Sequence, residues 1–296
     1  INDRSRFVIP AYNGVMIDTH IHVVPPNLPG VGPLSPALRG PPEDVAALSA
    51  IPNMQGITLD VTVSADIAAA VATISRAGRG LFGVVNNAGV AAVAPLIEMD
   101  EREMTSLFDV NVFGPYRVTK AFAPMLIASK GRMVQISSIS GILSGPLLGA
   151  YSMSKHAVEA YADALGAELG RFGVKVSLVE PGNYRSEIGR TTIKQIEAAI
   201  ARAPDSPYRT QMNGMVTAMR GYDAYPEPTA VAAAVFSALS EPVPQARYMV
   251  VPEARQGEIT IRKAIEELVQ LNQGHPFSYD RDKLIKMLDE ALARIK

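Results

Sequence analysis

Strand-like and helix-like runs alternate along this chain from residue 56 to residue 251, and that alternation restricts the fold more than any composition figure does. GITLDV (56–61) reads as a strand, Ser64–Arg79 as an Ala-rich amphipathic helix, and Gly80–Val85 as a buried strand running into Asn86-Asn87-Ala88-Gly89. Residues 99–129 are mostly helical, Gly131–Ser137 is a strand, Tyr151–Phe172 a long helix and Val174–Glu180 another strand. Pro228–Leu239 and Ala246–Val251 repeat the pattern as helix and strand. Parallel strands need crossover connections that helices supply, so the expected fold is α/β: a three-layer, doubly wound parallel sheet with helices on both faces.

In such a sheet, ligands bind at the C-terminal ends of the strands. Ser138 stands at one such end, and Pro181-Gly182-Asn183 follows another. Between them lies Tyr151-x-x-x-Lys155 at the start of the long helix, and residues four apart share a helix face. A cation beside a phenol favours its ionised form, so Lys155 is expected to lower the ordinary Tyr pKa of about 10 and make Tyr151 a general acid/base. A lone Y-x-x-x-K usually marks a surface pair, so its surroundings decide its meaning.

Composition narrows the partners. The 296 residues are 48% hydrophobic, enough for a sizeable core, and a net charge of -1 gives no electrostatic reason to expect nucleic acid or an anionic membrane. The chain has no Cys, which removes disulfides and thiol chemistry and fits a reducing compartment; cytoplasm is the expected location. No apolar run is long enough to span a membrane, and the start at Ile1 reads as an incomplete or processed terminus. The expected partner is a small molecule, with a homo-oligomer as a further option for the amphipathic stripes of the tail.

Residues 1–40 differ in texture, being rich in Pro and Gly after position 24, with strand patterns only at 6–11 and 15–24. Asp18, His20 and His22 would share one strand face, and MIDTHIHVVPP resembles the opening of the amidohydrolase superfamily. A metal centre of that kind needs further ligands, yet the chain holds only four His, so a structural role for His20 and His22 is favoured and no metal site is assigned. Pro41-Pro42-Glu43-Asp44 reads as a helix start, with the helix reaching about residue 50.

Taken together, Asp60-Val61 after a strand, Asn86-Asn87-Ala88-Gly89, Asn111 in a helix, Ser138, Tyr151-x-x-x-Lys155 and Pro181-Gly182 resemble the short-chain dehydrogenase/reductase family over roughly residues 41–296. The resemblance implies a Rossmann-like fold and an NAD(P)-dependent oxidoreductase that interconverts an alcohol and a carbonyl by hydride transfer. It implies that Tyr151 handles the substrate proton and Lys155 holds the cofactor ribose. Ser138 would bond the carbonyl oxygen, and Asn111 would anchor a water on a relay to solvent. Asp60 and Val61 would contact the adenine, Asn87, Ala88 and Gly89 the adenosine ribose side, and Ser186 the carboxamide beyond Pro181-Gly182. Residues 183–226 would form a substrate-covering segment and 253–296 a helical C-terminal extension. YSMSKHAVEAYADALGAELGRFGVKVSLVEPGNYRSEIG looks closest to members acting on steroids, retinoids and other lipophilic alcohols. Ile142–Leu148, Met212 and Met215 would suit an apolar pocket, although Met is equally at home in an ordinary core.

One family feature is missing. The T-G-x-x-x-G-x-G turn that brings backbone N–H groups and a helix N-terminus to the pyrophosphate does not occur, and Gly30-Val31-Gly32 has neither the strand before nor the helix after that such a turn needs. The first strand-helix-strand region is therefore expected to be atypical or replaced, with residues 1–40 foreign to the body that follows. NAD or NADP binding is expected to be weak, with the choice between them unreadable. Two alternatives stay open: a catalytically impaired relative, and a metal-dependent hydrolase resting on residues 16–26 alone.

Overall fold

The computed structural model describes residues 22–24, 37–38, 55–57 and 59–295, which fall into two compact units, Ile1–Pro252 and Glu253–Lys296. The first unit holds the sheet. Its strands are β1 (His22–Val24), β2 (Ala37–Leu38), β3 (Gln55–Gly56), β4 (Gly83–Asn86), β5 (Arg132–Ile136), β6 (Lys175–Pro181) and β7 (Arg247–Val250). The spatial order is β3-β2-β1-β4-β5-β6-β7.

From β4 to β7 the strands are parallel, as the alternation predicted. The connecting helices are α1 (Ser64–Ala77) before β4, then α2 (Glu101–Phe108) and α3 (Gly114–Ser129), α4 (Gly149–Gly170), α5 (Glu187–Arg202), α6 (Arg209–Met219) and α7 (Thr229–Ser240). The helical stretch expected over 99–129 is interrupted by a single π-turn at Asp109–Phe113. On one face, Val84 and Met133 pack with Phe122 and Leu126 of α3 and Leu165 and Leu169 of α4. On the other, Val85, Val134 and Val179 meet Val235, Ala238 and Leu239 of α7. Phe122 is fully buried, and burial of this kind holds the three layers together; Phe122→Ala would cost about 3–5 kcal/mol.

Two expectations change. The strand expected over 56–61 is only Gln55–Gly56, because Asp60 Oδ1 accepts hydrogen bonds from Thr62 N (2.8 Å) and Thr62 Oγ1 (2.7 Å) and bends the chain into a turn ahead of α1. The sheet is also not parallel throughout: β1 runs antiparallel to β4, with His22 opposite Val85 and Val24 opposite Gly83. The strand expected at 6–11, residues 15–21 of the strand expected at 15–24 with Asp18 and His20, and the helix expected from 41 to about 50 lie outside the described residues.

The second unit contains α8 (Ala254–Leu271) and α9 (Arg281–Arg294). Asn272 joins them by pairing its side-chain amide with Tyr279 O (2.8 Å) and Tyr279 N (2.9 Å), while Asp280 caps α9 by accepting from Lys283 N. No described helix is long and apolar enough to cross a membrane.

Candidate active site

The C-terminal ends of β4, β5 and β6 carry the site. Ser138 follows β5 in extended conformation, and its Oγ accepts from Ser140 N (3.1 Å) and donates to Pro181 O at the end of β6 (3.4 Å). The next segment turns back, and α4 begins at Gly149, placing Tyr151 and Lys155 in its first two turns. Lys155 Nζ donates to Ile136 O (3.0 Å), which fastens the helix to the end of β5 two residues before Ser138. Nζ also lies 5.7 Å from the Tyr151 ring centroid, and the Tyr151 side chain hydrogen-bonds Ser138. Ser138, Tyr151 and Lys155 therefore form one cluster.

Asn111 closes the cluster from the side of the π-turn. Its Oδ1 accepts from Val90 N (2.8 Å), and its Nδ2 donates to Val90 O (2.9 Å) and to Ser154 Oγ (3.0 Å), with the residue 1% exposed. The amide thus ties the segment after β4 to α4. π-turns widen a helix by one residue and recur at functional sites, and here the wider turn carries the residue that makes this double bond. Gly89 sits just before the tie. A methyl group there would come within 3.6 Å of Asn111 Oδ1 and 3.7 Å of Lys155 Nζ, so the missing side chain leaves an open cradle against both.

The remaining predicted residues divide. Pro181 pairs with Val250, and Gly182 N donates to Val250 O (2.7 Å), which fixes the turn after β6. Ser186 is held by Tyr222, whose hydroxyl contacts Ser186 N, Ser186 O and Ser186 Oγ (3.1 Å). Asn86 is structural: its Nδ2 donates to buried Thr119 Oγ1 (3.2 Å). Asn87 and Ala88 lead on to Gly89, with Ala88 partly packed on the core. Asp60 shapes the turn before α1, and the Val61 side chain is buried against Gly114 of α3. Met212 is buried among Val93, Leu147 and Ile196, and Met215 packs against the same group, so these side chains serve as core between α5, α6 and the loops beneath them.

The lowering of the Tyr151 pKa expected beside Lys155 does not emerge. Burial pushes the Tyr151 phenol up to about 12, opposed by its hydrogen bond to Ser138, and burial pulls Lys155 down to about 8, opposed by the charge of Glu159. Desolvation disfavours both charged forms and outweighs the pairing. Near neutral pH the phenol is a proton donor and the amine is mostly charged.

Sequence reasoning missed three groups. Tyr222 has no local signature, because its partners lie 36 to 38 residues away. Gln195 of α5 donates to Ala91 O (2.9 Å) and holds that helix to the loop after β4. Glu159 stands four residues beyond Lys155, and that spacing was visible.

Comparison with known proteins bears on the family and the fold. A family model for short chain dehydrogenases matches residues 41–197. An NADPH-dependent 3-dehydrocapnine reductase of Ornithobacterium rhinotracheale is 37% identical over 186 residues, covering 59% of this chain and 62% of that protein. Retinol dehydrogenase 16 of Rattus norvegicus is 41% identical over 139 residues, covering 46% of this chain and 44% of that protein. The chain thus spans about half the length of such curated relatives. Among solved structures, a short-chain dehydrogenase from Streptomyces avermitilis superposes with a TM-score of 0.63 at 27% identity, covering 78% of this chain and 81% of that one. On the sequence match over 41–197 and the sheet that carries it, the chain belongs to the short-chain dehydrogenase family.

Proposed function

We propose that this chain interconverts an alcohol and a carbonyl as an NAD(P)-dependent oxidoreductase, with Tyr151 as the acid/base. The observation that carries the reading is the joint placement of Ser138, Tyr151 and Lys155, locked by Asn111, at the C-terminal edge of the parallel strands. In the reductive direction, Tyr151 Oη donates its proton to the substrate oxygen as negative charge develops there. Ser138 Oγ–H stabilises that oxygen, and the Lys155 ammonium stabilises the phenolate left behind. A bound nicotinamide supplies the hydride. Gly89, Asn111 and Lys155 suit its ribose side, since the cradle at Gly89 faces Lys155 Nζ, a donor able to bond ribose hydroxyls.

The substrate in this reading is lipophilic. α5 and α6 rest on Val93 and Leu147 through Ile196 and Met212, so the loops beside the site meet an apolar cover rather than a charged one. Turnover of apolar secondary alcohols or ketones, set against short polar ones, tests the class. Tyr151→Phe tests the mechanism, and a variant that keeps full turnover would overturn it.

The impaired reading has an observation of its own. Val24 ends β1 opposite Gly83, at the start of β4, so the C-terminal end of β1 lies at the sheet edge away from Ser138. A phosphate-binding turn after a first strand has to form at the Ser138 edge, and the sequence lacks its glycines. Weak binding of both nicotinamide dinucleotides is expected when NADH and NADPH are titrated by cofactor fluorescence. Submicromolar affinity for either would remove this reading.

A further inference from the structure

Behind the Tyr151 and Lys155 pair lies a second group of charges that the proposed reaction does not use. Glu159 and Asp163 follow Lys155 along α4 at intervals of four, so the three project from one side of the helix. Glu180 of β6 faces the same helix, as does Leu178 two residues earlier, which packs on Val158 and Ala162. Arg247 of β7 reaches all three acids. Its Nη2 is 2.8 Å from Asp163 Oδ2 and 3.3 Å from Glu159 Oε2, and its Nε is 3.3 Å from Glu180 Oε1. Glu180 is 2% exposed and Glu159 9%, so two nearly dry carboxyls and a third share one guanidinium.

Glu159 also presses against the segment that carries Ser138. A methyl group at Gly141 would lie 2.7 Å from Glu159 Oε1 and 2.9 Å from Ser137 Oγ, so only glycine lets this carboxyl reach the end of β5. Lys155 reaches the same strand end through Ile136 O. The two side chains thus meet the end of β5 and the turn that follows it, at Ile136 and Gly141, from successive turns of one helix.

We propose that Glu159 is a positioning residue for the Lys155 ammonium, keeping it charged from the next helical turn while bracing the Ile136–Gly141 segment that presents Ser138. The proposal rests on the oxidoreductase reading above. Burial alone would carry Lys155 further down than about 8, and Glu159 is the charge that opposes it. Glu180 shares the site, and burial, followed by the charge of Glu159, pushes it up to about 7. The charged groups facing Glu159 are then Lys155 and Asp163 from α4, Glu180 from β6 and Arg247 from β7; β5 presents the uncharged Ser137.

The test is the titration of Lys155 itself, followed by the Cε signal of 13C-labelled lysine and assigned by its disappearance in Lys155→Met. In Glu159→Gln the Lys155 midpoint should fall by about one pH unit, and the basic limb of the pH–rate profile should move with it. Glu159→Asp should restore most of the midpoint. If Glu159→Gln does not fold, the Glu159→Gln/Glu180→Gln double variant, which removes both carboxylates together, should show a lower midpoint than Glu180→Gln alone. An unchanged Lys155 midpoint in these variants would overturn the proposal, and so would a purely proportional loss of rate at every pH. Absence of turnover in the parent, with the midpoint shift present, would instead overturn the oxidoreductase reading.

Discussion

The sheet has two unlike flanks on either side of β4. Toward β7, each strand is parallel to the last, the β5–β6 register runs over five residue pairs, and helices bury both faces. Toward β3, the strands are two or three residues long, and the first joins β4 antiparallel. The well-built flank holds Ser138, Tyr151, Lys155 and Asn111, the groups to which the proposed proton chemistry is assigned. The other flank is where a dinucleotide's phosphates are ordinarily clamped, and there the strand beside β4 runs the opposite way, so the C-terminal end of β1 lies away from the Ser138 edge. On the proposed reading the difference teaches that proton chemistry and cofactor affinity are separable in this fold: one needs β4 to β6 and α4, the other a first strand running parallel beside β4.

That separation sets what each substitution should do. Tyr151→Phe removes one hydroxyl from the well-built flank and should lower kcat by about 10²- to 10⁴-fold, with an unchanged circular dichroism spectrum. Cofactor affinity should barely move, because the phenol is not a phosphate contact. A matching loss of cofactor binding would erase the distinction between the flanks. Asn111→Ala should follow with a stability loss of about 3 kcal/mol in urea denaturation, since it strips partners from Val90 N, Val90 O and Ser154 Oγ at a buried site.

The same contrast explains what the sequence made legible. β4 to β7 and their helices were readable because β4 to β6 carry buried apolar stretches, β7 is a short run at the sheet edge, and the helices between them have a clear period. Ser138, Tyr151, Lys155 and Asn111 were readable because each sits at a fixed place on such an element. Asp60 misled: its carboxylate bonds Thr62 locally, and a β-like run ended in a turn that periodicity does not register. The protonation states were also out of reach. The spacing of Tyr151 and Lys155 speaks of attraction, whereas the depth of burial, which decides the outcome, is a property of the folded layers. Tyr222 and Arg247 gain their roles from partners distant in sequence.

A pH experiment probes the charged interior of the well-built flank. Glu180 has its folded pKa raised to about 7 from an ordinary 4.5, so between those values the folded chain binds more protons than the unfolded one. Its contribution to stability is therefore fully present below pH 4.5 and lost as pH rises through about 7. Glu180→Gln should match the parent at pH 4.5 and exceed it by about 1–2 kcal/mol at pH 8, a figure kept small because Arg247 is partly solvated. A variant less stable than the parent at pH 8 would show that the Arg247 pairing outweighs the cost of burial.

Gly89→Ala makes the finest cut between fold and cofactor. Gly89 has no positive φ, and the added methyl would meet Asn111 Oδ1 and Lys155 Nζ at 3.6 and 3.7 Å, ordinary contact distances. Stability should stay within about 0.5 kcal/mol of the parent, as for substitutions that neither clash nor open a cavity. The methyl would nevertheless occupy the cradle in which a ribose hydroxyl has to approach Lys155 Nζ. Cofactor affinity should fall about tenfold, close to 1.4 kcal/mol, with the apparent pKa of Tyr151 little altered. Equal affinity in parent and variant would place the ribose elsewhere and move the cofactor question wholly to the β1–β3 flank. A tenfold loss would show that the well-built flank grips the nicotinamide end even where the phosphate end is poorly held.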